Sequence, residues 1–276
     1  MDFDLTTRLA LIGLTFFLLA VFEAIWPQRE QLFNRAIRWR GNLGVFLFDV
    51  LVIGIPLNGI VFGILYWTES QNIGLMNWMS LPFSVKVVIG FLALDAMFYF
   101  QHRISHFVPL LWRLHRVHHA DTGMDLTTAN RIHPLETVWV TLLRVSLAVI
   151  LGIPIAAFIA FVVSLNLLSM FSHANLRLPP FIDWVLRLLI VTPSMHETHH
   201  SSHRQDFDTN FAFVFSFWDR LFGTYKNTTT ALDAQIELGL DEFRGVEDTG
   251  LLRLLTMPFR NSSARETIVK SSSTTP

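Results

Sequence analysis

The amino-acid sequence predicts an all-α integral membrane protein with about four to five membrane helices. Three observations support this fold class. The 276-residue chain is 51% hydrophobic and only 16% charged, whereas soluble domains carry about 25% charged residues. Several apolar stretches approach the length of about 20 residues that a helix needs to cross a bilayer. All eleven histidines fall between His102 and His203, in clusters with helical spacing.

The first candidate span covers residues 6–26. Residues 9–26 form an apolar run that carries no charge before Glu23. A cleaved signal peptide needs a basic start and a small-residue cleavage site, but this sequence starts with Met-Asp-Phe-Asp. We therefore expect a retained first membrane helix, with Trp26 at the membrane interface.

Two further spans are predicted at residues 43–67 and 83–101. Residues 137–172 add a long apolar stretch that is interrupted at Gly152-Ile-Pro154. This interruption favours two closely packed short helices that form a hairpin entering from one side. Arg144 lies inside this stretch, which indicates that its face contacts protein, headgroups or water instead of lipid tails.

The loops between these spans predict their sidedness. Residues 27–42 and residues 102–136 carry four arginines each, whereas residues 67–82 carry no Lys or Arg. The positive-inside rule places the two arginine-containing loops in the cytoplasm. All three histidine clusters would then lie in a helical, histidine-rich metal domain on the cytoplasmic face of the membrane.

The histidine clusters indicate a metal site. His102 and His106 are four residues apart, and the pattern His-x-x-His-His occurs at residues 115–119 and again at 196–200. Residues three and four apart are neighbours on a helix, so these eight imidazoles are sufficient for two metal ions. Without a metal, grouped imidazoles would repel when protonated and would cost desolvation when buried.

Composition excludes several other chemistries. The chain contains no cysteine, which excludes Cys-ligated iron–sulfur clusters, thiolate haem, Cys zinc sites and disulfides. The net charge of −1 gives no overall field that would favour nucleic acid, so we expect no nucleic-acid partner. Any metal must therefore bind to histidine, carboxylate or water, and the ligand type alone does not select the metal.

The order His-x3-His, His-x2-His-His, His-x2-His-His resembles the fatty acid hydroxylase superfamily of integral-membrane di-iron enzymes. This superfamily includes sterol desaturases, sterol methyl oxidases, sphingolipid and fatty acid hydroxylases, and alkylglycerol monooxygenase. The resemblance covers about residues 85–226 and includes Arg131–Glu136, Ser172–Asn175 and Trp218–Thr224. These spacings are specific for the superfamily but separate its members poorly. The C-terminal part looks most like the sterol desaturase and alkylglycerol monooxygenase branch.

The resemblance implies two iron ions per chain. Ser169 stands where relatives with a further His-x3-His pair would place another histidine, and His133 would cap the next helix or line the site. His203 is expected to lie outside the metal site. Carried over by position, the iron ligands would be His102, His106, His115, His118, His119, His196, His199 and His200, with His173 as a ninth.

Carboxylates would support these ligands, because metal-bound imidazoles usually donate their second N–H to a carboxylate or carbonyl. Asp219 is the preferred candidate, beside Trp218 and Arg220. The other candidates are Asp121, Asp125, Glu136, Asp206 and Asp208, of which Asp121 and Asp206 are more typical of helix capping and solvation.

Three segments are expected along the chain. Residues 1–82 would form N-terminal membrane helices, and residues 83–228 the fatty acid hydroxylase-like catalytic domain. Residues 229–276 would form a C-terminal extension that is disordered from about residue 261, because this end is rich in Ser and Thr and weakly apolar. Pro109 and Pro193 are expected to begin the helices that carry the second and third histidine clusters.

We therefore expect a non-haem di-iron oxidoreductase that uses O₂ and two electrons to hydroxylate or desaturate a membrane lipid. The sterol, fatty acyl and ether lipid classes stay open, as do hydroxylation, desaturation and ether cleavage. The sequence contains no Gly-x-Gly-x-x-Gly, flavin or haem-binding motif, so the electrons would come from an external donor. The resemblance implies a donor that is cytochrome b5-like, ferredoxin-type or a pterin.

Two other classes are considered. A metal transporter or metal-binding membrane protein would need ligands along a pathway at membrane depth, whereas these clusters follow helix ends. A membrane zinc-dependent hydrolase would need one metal with an open position and a general base, and eight or nine histidines exceed that requirement.

Overall fold

A computed structural model of the chain describes residues 5–227 and 236–261. Five of its helices are long and apolar enough to cross a membrane, which confirms the predicted helical membrane fold. The predicted disorder beyond about residue 261 concerns residues that lie outside the described part. The helices are α1 Leu5–Ile25, α2 Arg35–Asp49, α3 Ile55–Ser70, α4 Phe83–Phe107, α5 Pro109–His119, α6 Pro134–Leu151, α7 Ile155–His173, α8 Pro180–Leu186, α9 Pro193–His199, α10 Arg204–Phe207, α11 Phe217–Leu221 and α12 Leu251–Thr256.

The second membrane segment begins earlier than the predicted residue 43. Helix α2 begins at Arg35, because the Asn34 side chain accepts a hydrogen bond from the Ala36 backbone N–H at 2.8 Å. It continues through a π-helical turn at Val50–Gly54 into α3. The polar first turns are stable in the helix because Arg38 and Asn42 are buried against the loop that follows α5.

The predicted interruption lies between α6 and α7. Both helices are long enough to cross a membrane and they make few direct contacts, so the expectation of two short, closely packed helices was wrong. Gly152 ends α6 with a positive φ of 68°, a conformation that favours glycine. Gly74 approaches it so closely that a Cβ on Gly74 would lie 2.2 Å from the Gly152 nitrogen. Two glycines thus allow the α3–α4 connection to contact the connection between α6 and α7.

The ends of four helices form the histidine-rich end of the protein. Helix α4 continues past residue 101 and carries His102 and His106 in its last turns, as expected. Helices α5 and α9 begin at the predicted prolines, Pro109 and Pro193. Helix α7 packs against both α4 and α9 and ends at His173. The short helices α5 and α9 are thereby held against the ends of two membrane-length helices.

Part of the predicted C-terminal extension packs onto this end. Leu254 and Met257 are fully buried in one apolar cluster with Trp112 and Val117 of α5. The Arg116 guanidinium donates to the backbone carbonyl of Met257 at 2.5 Å. This segment therefore supports the second histidine cluster from outside.

Candidate metal centre

Nine buried histidines converge in two adjacent groups. Within each group, one ligand nitrogen from every histidine lies within 4.8 Å of the others. The first group contains His102, His106, His115, His119 and His199, and the second contains His118, His173, His196 and His200. These are the nine candidate ligands predicted from the sequence. Among the described residues, no aspartate or glutamate belongs to either group.

Each His-x-x-His-His motif is divided between the groups. His115 and His119 enter the first group while His118 enters the second, and α9 divides its three histidines in the opposite sense. Helical geometry explains this division. With 3.6 residues per turn, residues four apart differ by about 40° in direction, whereas adjacent residues differ by about 100°. Adjacent histidines therefore point into neighbouring sites, and each motif connects the two groups.

Hydrogen bonds fix the ring nitrogens in the first group. The His102 Nδ1–H donates to the Phe211 carbonyl at 2.8 Å, and the His199 Nδ1–H donates to the Thr209 carbonyl at 2.7 Å. Because a carbonyl only accepts, both neutral rings then carry a bare lone pair on Nε2. These two Nε2 atoms are 3.0 Å apart. Two facing lone pairs at this distance require a cation to satisfy both.

In the second group, one ring is fixed in the same way. The His173 Nδ1–H donates to the Ser169 carbonyl at 2.7 Å, which leaves its Nε2 lone pair directed inward. The Nε2 atoms of His118 and His196 each lie 3.0 Å from that atom. Ser169 thus has a defined role although its side chain is not a ligand. Its backbone carbonyl orients the ninth histidine.

Burial keeps the imidazoles neutral, which is the form that binds metal. Burial lowers the pKa of His199 to about 3. It also lowers the pKa of His118, His119, His196 and His200 well below the usual value, and the neighbouring imidazoles lower it further. A proton is therefore a poor candidate for the cation between facing rings.

The spacing of the ring nitrogens fits metal ions. A transition metal binds an imidazole nitrogen at about 2.1 Å, and two ligands at a right angle on that metal are then about 3.0 Å apart. The Nε2 distances of 3.0 Å in both groups match this value. The donor set is all-imidazole, which suits a divalent transition metal better than Mg²⁺ or Ca²⁺. The residues present therefore fit two metal ions.

Carboxylates contact two of the candidate ligands directly. Glu136 of α6 accepts from the His115 Nδ1–H at 2.7 Å, and Asp208 accepts from the His106 Nδ1–H at 3.3 Å. Such acceptors fix the tautomer and orientation of a metal ligand. Both residues were among the sequence candidates, although neither was preferred.

Asp219, the preferred carboxylate, acts on a candidate ligand through the backbone instead of by direct contact. Its carboxylate accepts from the backbone N–H groups of Phe211 and Ala212 at 2.7 and 3.1 Å and from the Thr224 hydroxyl at 2.8 Å. Burial raises its pKa. Asp219 therefore holds the backbone segment whose Phe211 carbonyl orients His102, and the expectation of a direct contact with a ligand was wrong.

Asp121 and Asp125, which lie in the loop after α5, belong to a buried ion-pair network. Arg38 of α2 donates to Asp121 and Asp125, each at 2.7 Å, and both its own side chain and theirs are buried. Burial alone would raise the pKa of Asp121, but the charges of Arg38 and Arg131 lower it to about 2. This network anchors the loop that follows His119 to the second membrane segment. Asp206, in contrast, pairs with Lys226 near the surface.

The two remaining histidines lie outside both groups. His133 caps α6, because its Nδ1 accepts from the Leu135 backbone N–H at 3.2 Å and its Nε2–H donates to the Leu255 carbonyl at 3.1 Å. With both nitrogens engaged in this way, His133 takes the capping role of the two that the sequence allowed. His203 is exposed.

Residues 196–200 also read His-Glu-x-x-His, the order found on zinc-protease helices. In those enzymes the glutamate acts as the general base. Here Glu197 forms an ion pair with Arg29 on the loop that follows α1. Glu197 is therefore engaged in holding α9 against that loop, and both histidines share their group with His118 and His173.

A cavity of about 230 Å³ adjoins both groups. His115 of the first group and His118 of the second line one end of it, together with Glu136. Its walls come from α2, α4, α6 and α7 and include Phe98 and Phe213. A bound molecule could thus lie beside both candidate metal positions.

Comparisons with known proteins agree with this geometry. A sequence profile of the Fatty acid hydroxylase family matches residues 87–224, which is half of the chain and contains all nine histidines. No solved structure matches the chain.

Three relatives illustrate the family. Ornithine lipid hydroxylase OlsE of Rhizobium tropici is 27% identical over 191 residues, which are 68% of this chain and 55% of the relative. Alkylglycerol monooxygenase of Xenopus tropicalis is 34% identical over 219 residues, 76% of this chain and 46% of the relative. Methylsterol monooxygenase 1 of Rattus norvegicus is 29% identical over 209 residues, 68% of this chain and 62% of the relative.

The chain thus spans about half of the length of these relatives, from 46% to 62%. The profile match covers the helices that carry both histidine groups, and the resemblance drawn from the histidine spacing is confirmed. The chain belongs to the fatty acid hydroxylase family.

Proposed function

We propose that this protein is a membrane-bound di-iron oxidoreductase that uses O₂ and two externally supplied electrons to hydroxylate or desaturate a lipid. The nine histidines of the two groups would hold one iron ion in each group. The observation that carries this proposal is the pair of all-histidine groups, in each of which ring nitrogens approach to 3.0 Å. Between His102 and His199 the two nitrogens present facing lone pairs. Two adjacent metal positions with neutral ligands fit a redox metal pair better than a single hydrolytic zinc.

Bound iron would supply the O₂-dependent oxidising power that an unactivated C–H bond requires. The residues of the chain hold and shield this centre. Carbonyls of Phe211, Thr209 and Ser169 keep the inward nitrogens deprotonated. Phe211 also packs against the rings of His102 and His106 and excludes water from that side.

Glu136 links the metal ligands to the substrate cavity. One carboxylate oxygen, Oε1, orients His115, while Oε2 has no hydrogen-bond partner among the described residues. Because Glu136 also lines the cavity, Oε2 is positioned to accept or hold a proton beside a bound substrate. This role requires no movement of the oxygen that orients His115.

The relatives and the cavity support a lipid substrate. The relatives are named for ornithine lipid, alkylglycerol and methylsterol, which are all lipids. Membrane-length helices surround the cavity in this chain, so a lipid could enter from the bilayer. We therefore propose a sterol, fatty acyl or ether lipid class of substrate.

The electrons would come from a separate donor, such as a cytochrome b5-like protein, a ferredoxin-type protein or a reduced pterin. We propose that the donor meets the histidine-rich end in the cytoplasm, because the arginines of residues 27–42 and 102–136 favour that side.

Oxygen dependence tests this function. Membranes that contain the protein should add one oxygen atom to an endogenous lipid, or remove two hydrogens from it, only when O₂ and a reductant are both present. Membranes that contain His118→Ala serve as the control and should form no product. Formation of the oxidised lipid under argon without reductant would contradict the proposal. If the lipid is instead cleaved by water under both conditions, the result would indicate a zinc hydrolase, which needs only an activated water.

A further inference from the structure

Arg144 is a half-buried cation without a charged partner among the described residues. It lies in the middle of α6, and among the described residues its Nε has no hydrogen-bond partner and its guanidinium makes no ion pair. Its neighbours are the Thr141 hydroxyl, 3.3 Å from Nη2, and the Phe158 ring, 5.2 Å from Cζ. A charged side chain at membrane depth is costly unless it serves a function or has a partner. The described residues supply no anion to compensate it.

Arg144 lines the same cavity as the candidate metal ligands His115 and His118. Helical side chains lean toward the N-terminus of their helix, and the contact with Thr141 shows this lean. The guanidinium thus lies near the level of Thr141, five residues and about 7 Å along the axis from Glu136. Glu136 contacts His115 and marks the end of the cavity nearest the candidate metal ligands, here called the metal end. The Arg144 guanidinium is therefore within a small molecule's length of the metal end.

The charges of the cavity are separated along its length. Glu136 contacts His115, and Asp49 accepts from the Thr137 hydroxyl at 3.1 Å, so both carboxylates lie at the metal end. Arg144 lies one to two turns deeper. An anionic group would be repelled by the carboxylates and attracted by Arg144, so its orientation in the cavity is determined.

We propose that Arg144 binds the anionic group of an amphiphilic substrate, a carboxylate or a phosphate, and thereby selects the substrate and fixes its orientation. The carbon that lies beside His115 and His118 is then only a few bonds from that anionic group. This inference rests on the proposed function only where it calls the bound molecule a substrate. The binding itself depends only on the cavity and its charges.

Binding of matched amphiphiles tests the proposal. The full chain, purified in neutral detergent, is titrated with dodecyl phosphate, dodecanoate and uncharged 1-dodecanol, and binding is measured by native mass spectrometry. Wild-type protein should bind at least one anionic probe more tightly than the alcohol. Arg144→Gln should weaken anionic binding by about tenfold or more, because a charge-assisted hydrogen bond is lost, and should leave 1-dodecanol binding unchanged. The preferred anionic probe distinguishes a carboxylate from a phosphate source.

Two further variants separate recognition from packing. Arg144→Lys keeps the charge and should lose less anionic binding than Arg144→Gln. Arg253→Gln removes an exposed arginine of α12 and should bind all three probes as wild type does. Equal weakening of all three probes in Arg144→Gln would show a packing role and overturn the proposal, as would an unchanged preference for the anionic probes.

The binding assay requires neither O₂ nor reductant. Selective loss of anionic binding would therefore support the role of Arg144 even if the protein failed to oxidise lipids. If O₂-dependent oxidation is observed and Arg144→Gln binds anions normally, the proposed function stands and the role of Arg144 does not.

Discussion

Replacement of Asp219 with asparagine tests whether the support around the histidine groups determines metal affinity. Asp219 is fully buried and accepts three hydrogen bonds, two of them from the backbone N–H groups of Phe211 and Ala212. The Phe211 carbonyl in turn accepts from His102 at 2.8 Å. Among the described residues, the partners of the Asp219 carboxylate include no histidine, so an effect on metal binding should pass through this backbone segment.

The magnitude follows from the hydrogen-bond count. Asparagine keeps one acceptor oxygen but turns an NH₂ group toward one of the two backbone N–H groups. Leaving one buried donor unsatisfied costs about 1–3 kcal/mol. Changes in residues that orient metal ligands typically lower metal affinity by about 10–100-fold. We expect Asp219→Asn to fall within both ranges, with weaker binding in the group that contains His102.

The assay is an anaerobic Fe²⁺ titration in detergent, together with the melting temperature of each variant. Asp241→Asn is the matched control, because the Asp241 side chain is 81% exposed and only approaches Arg244 at 4.0 Å. An Asp219→Asn protein that binds two iron ions with wild-type affinity and melts at the wild-type temperature would refute the reasoning.

Three further predictions address the ligands, the ion-pair network and the topology. His118→Ala should lose metal and lipid oxidation together, because it removes one of four histidines in the second group, whereas His203→Ala, at an exposed histidine, should retain both. Metal analysis with an activity assay checks this, and full metal content in His118→Ala would contradict it. Asp121 has a folded pKa of about 2 against an ordinary value of 3.8, so the stability that it contributes is complete above pH 3.8 and is lost as the pH falls toward 2. The free energy of unfolding measured against pH should show this loss in wild type, whereas Asp121→Asn should be less stable at neutral pH and should lose less stability in acid. A reporter fused after Asn227 should be cytoplasmic and one inserted at Asn72 external, and a reporter assay that gives the same side for both would exclude the proposed orientation.

Much of the fold was predictable because membrane helices have strong sequence signals. The break between α6 and α7 was located correctly since Gly152 and Pro154 interrupt an otherwise apolar stretch, but the length of the two helices was underestimated. The start of α2 was not, because Arg35 and Arg38 are atypical of a membrane span. The charge of Arg38 is compensated by carboxylates 83 and 87 residues away, and a single sequence does not reveal such long-range pairing.

The candidate ligands were predictable from their spacing, but their division into two groups was not predicted. The division follows from the different directions of residues three and four apart on a helix, so His118 separates from His115. The acceptors that orient the rings were harder to predict. Backbone carbonyls at Thr209 and Phe211 carry no side-chain signature, and Asp219 was favoured for its neighbours in sequence although it acts through that backbone.

The metal content of the protein tests the central claim most directly. The chain should be produced with iron supplied, purified under anaerobic reducing conditions, and analysed for all transition metals per chain. The two histidine groups predict two iron ions per chain, and a double replacement of His118 and His173, both in the second group, should leave one. A wild-type chain that retains only one metal ion, or whose metal is unaffected by the double replacement, would contradict the di-iron account.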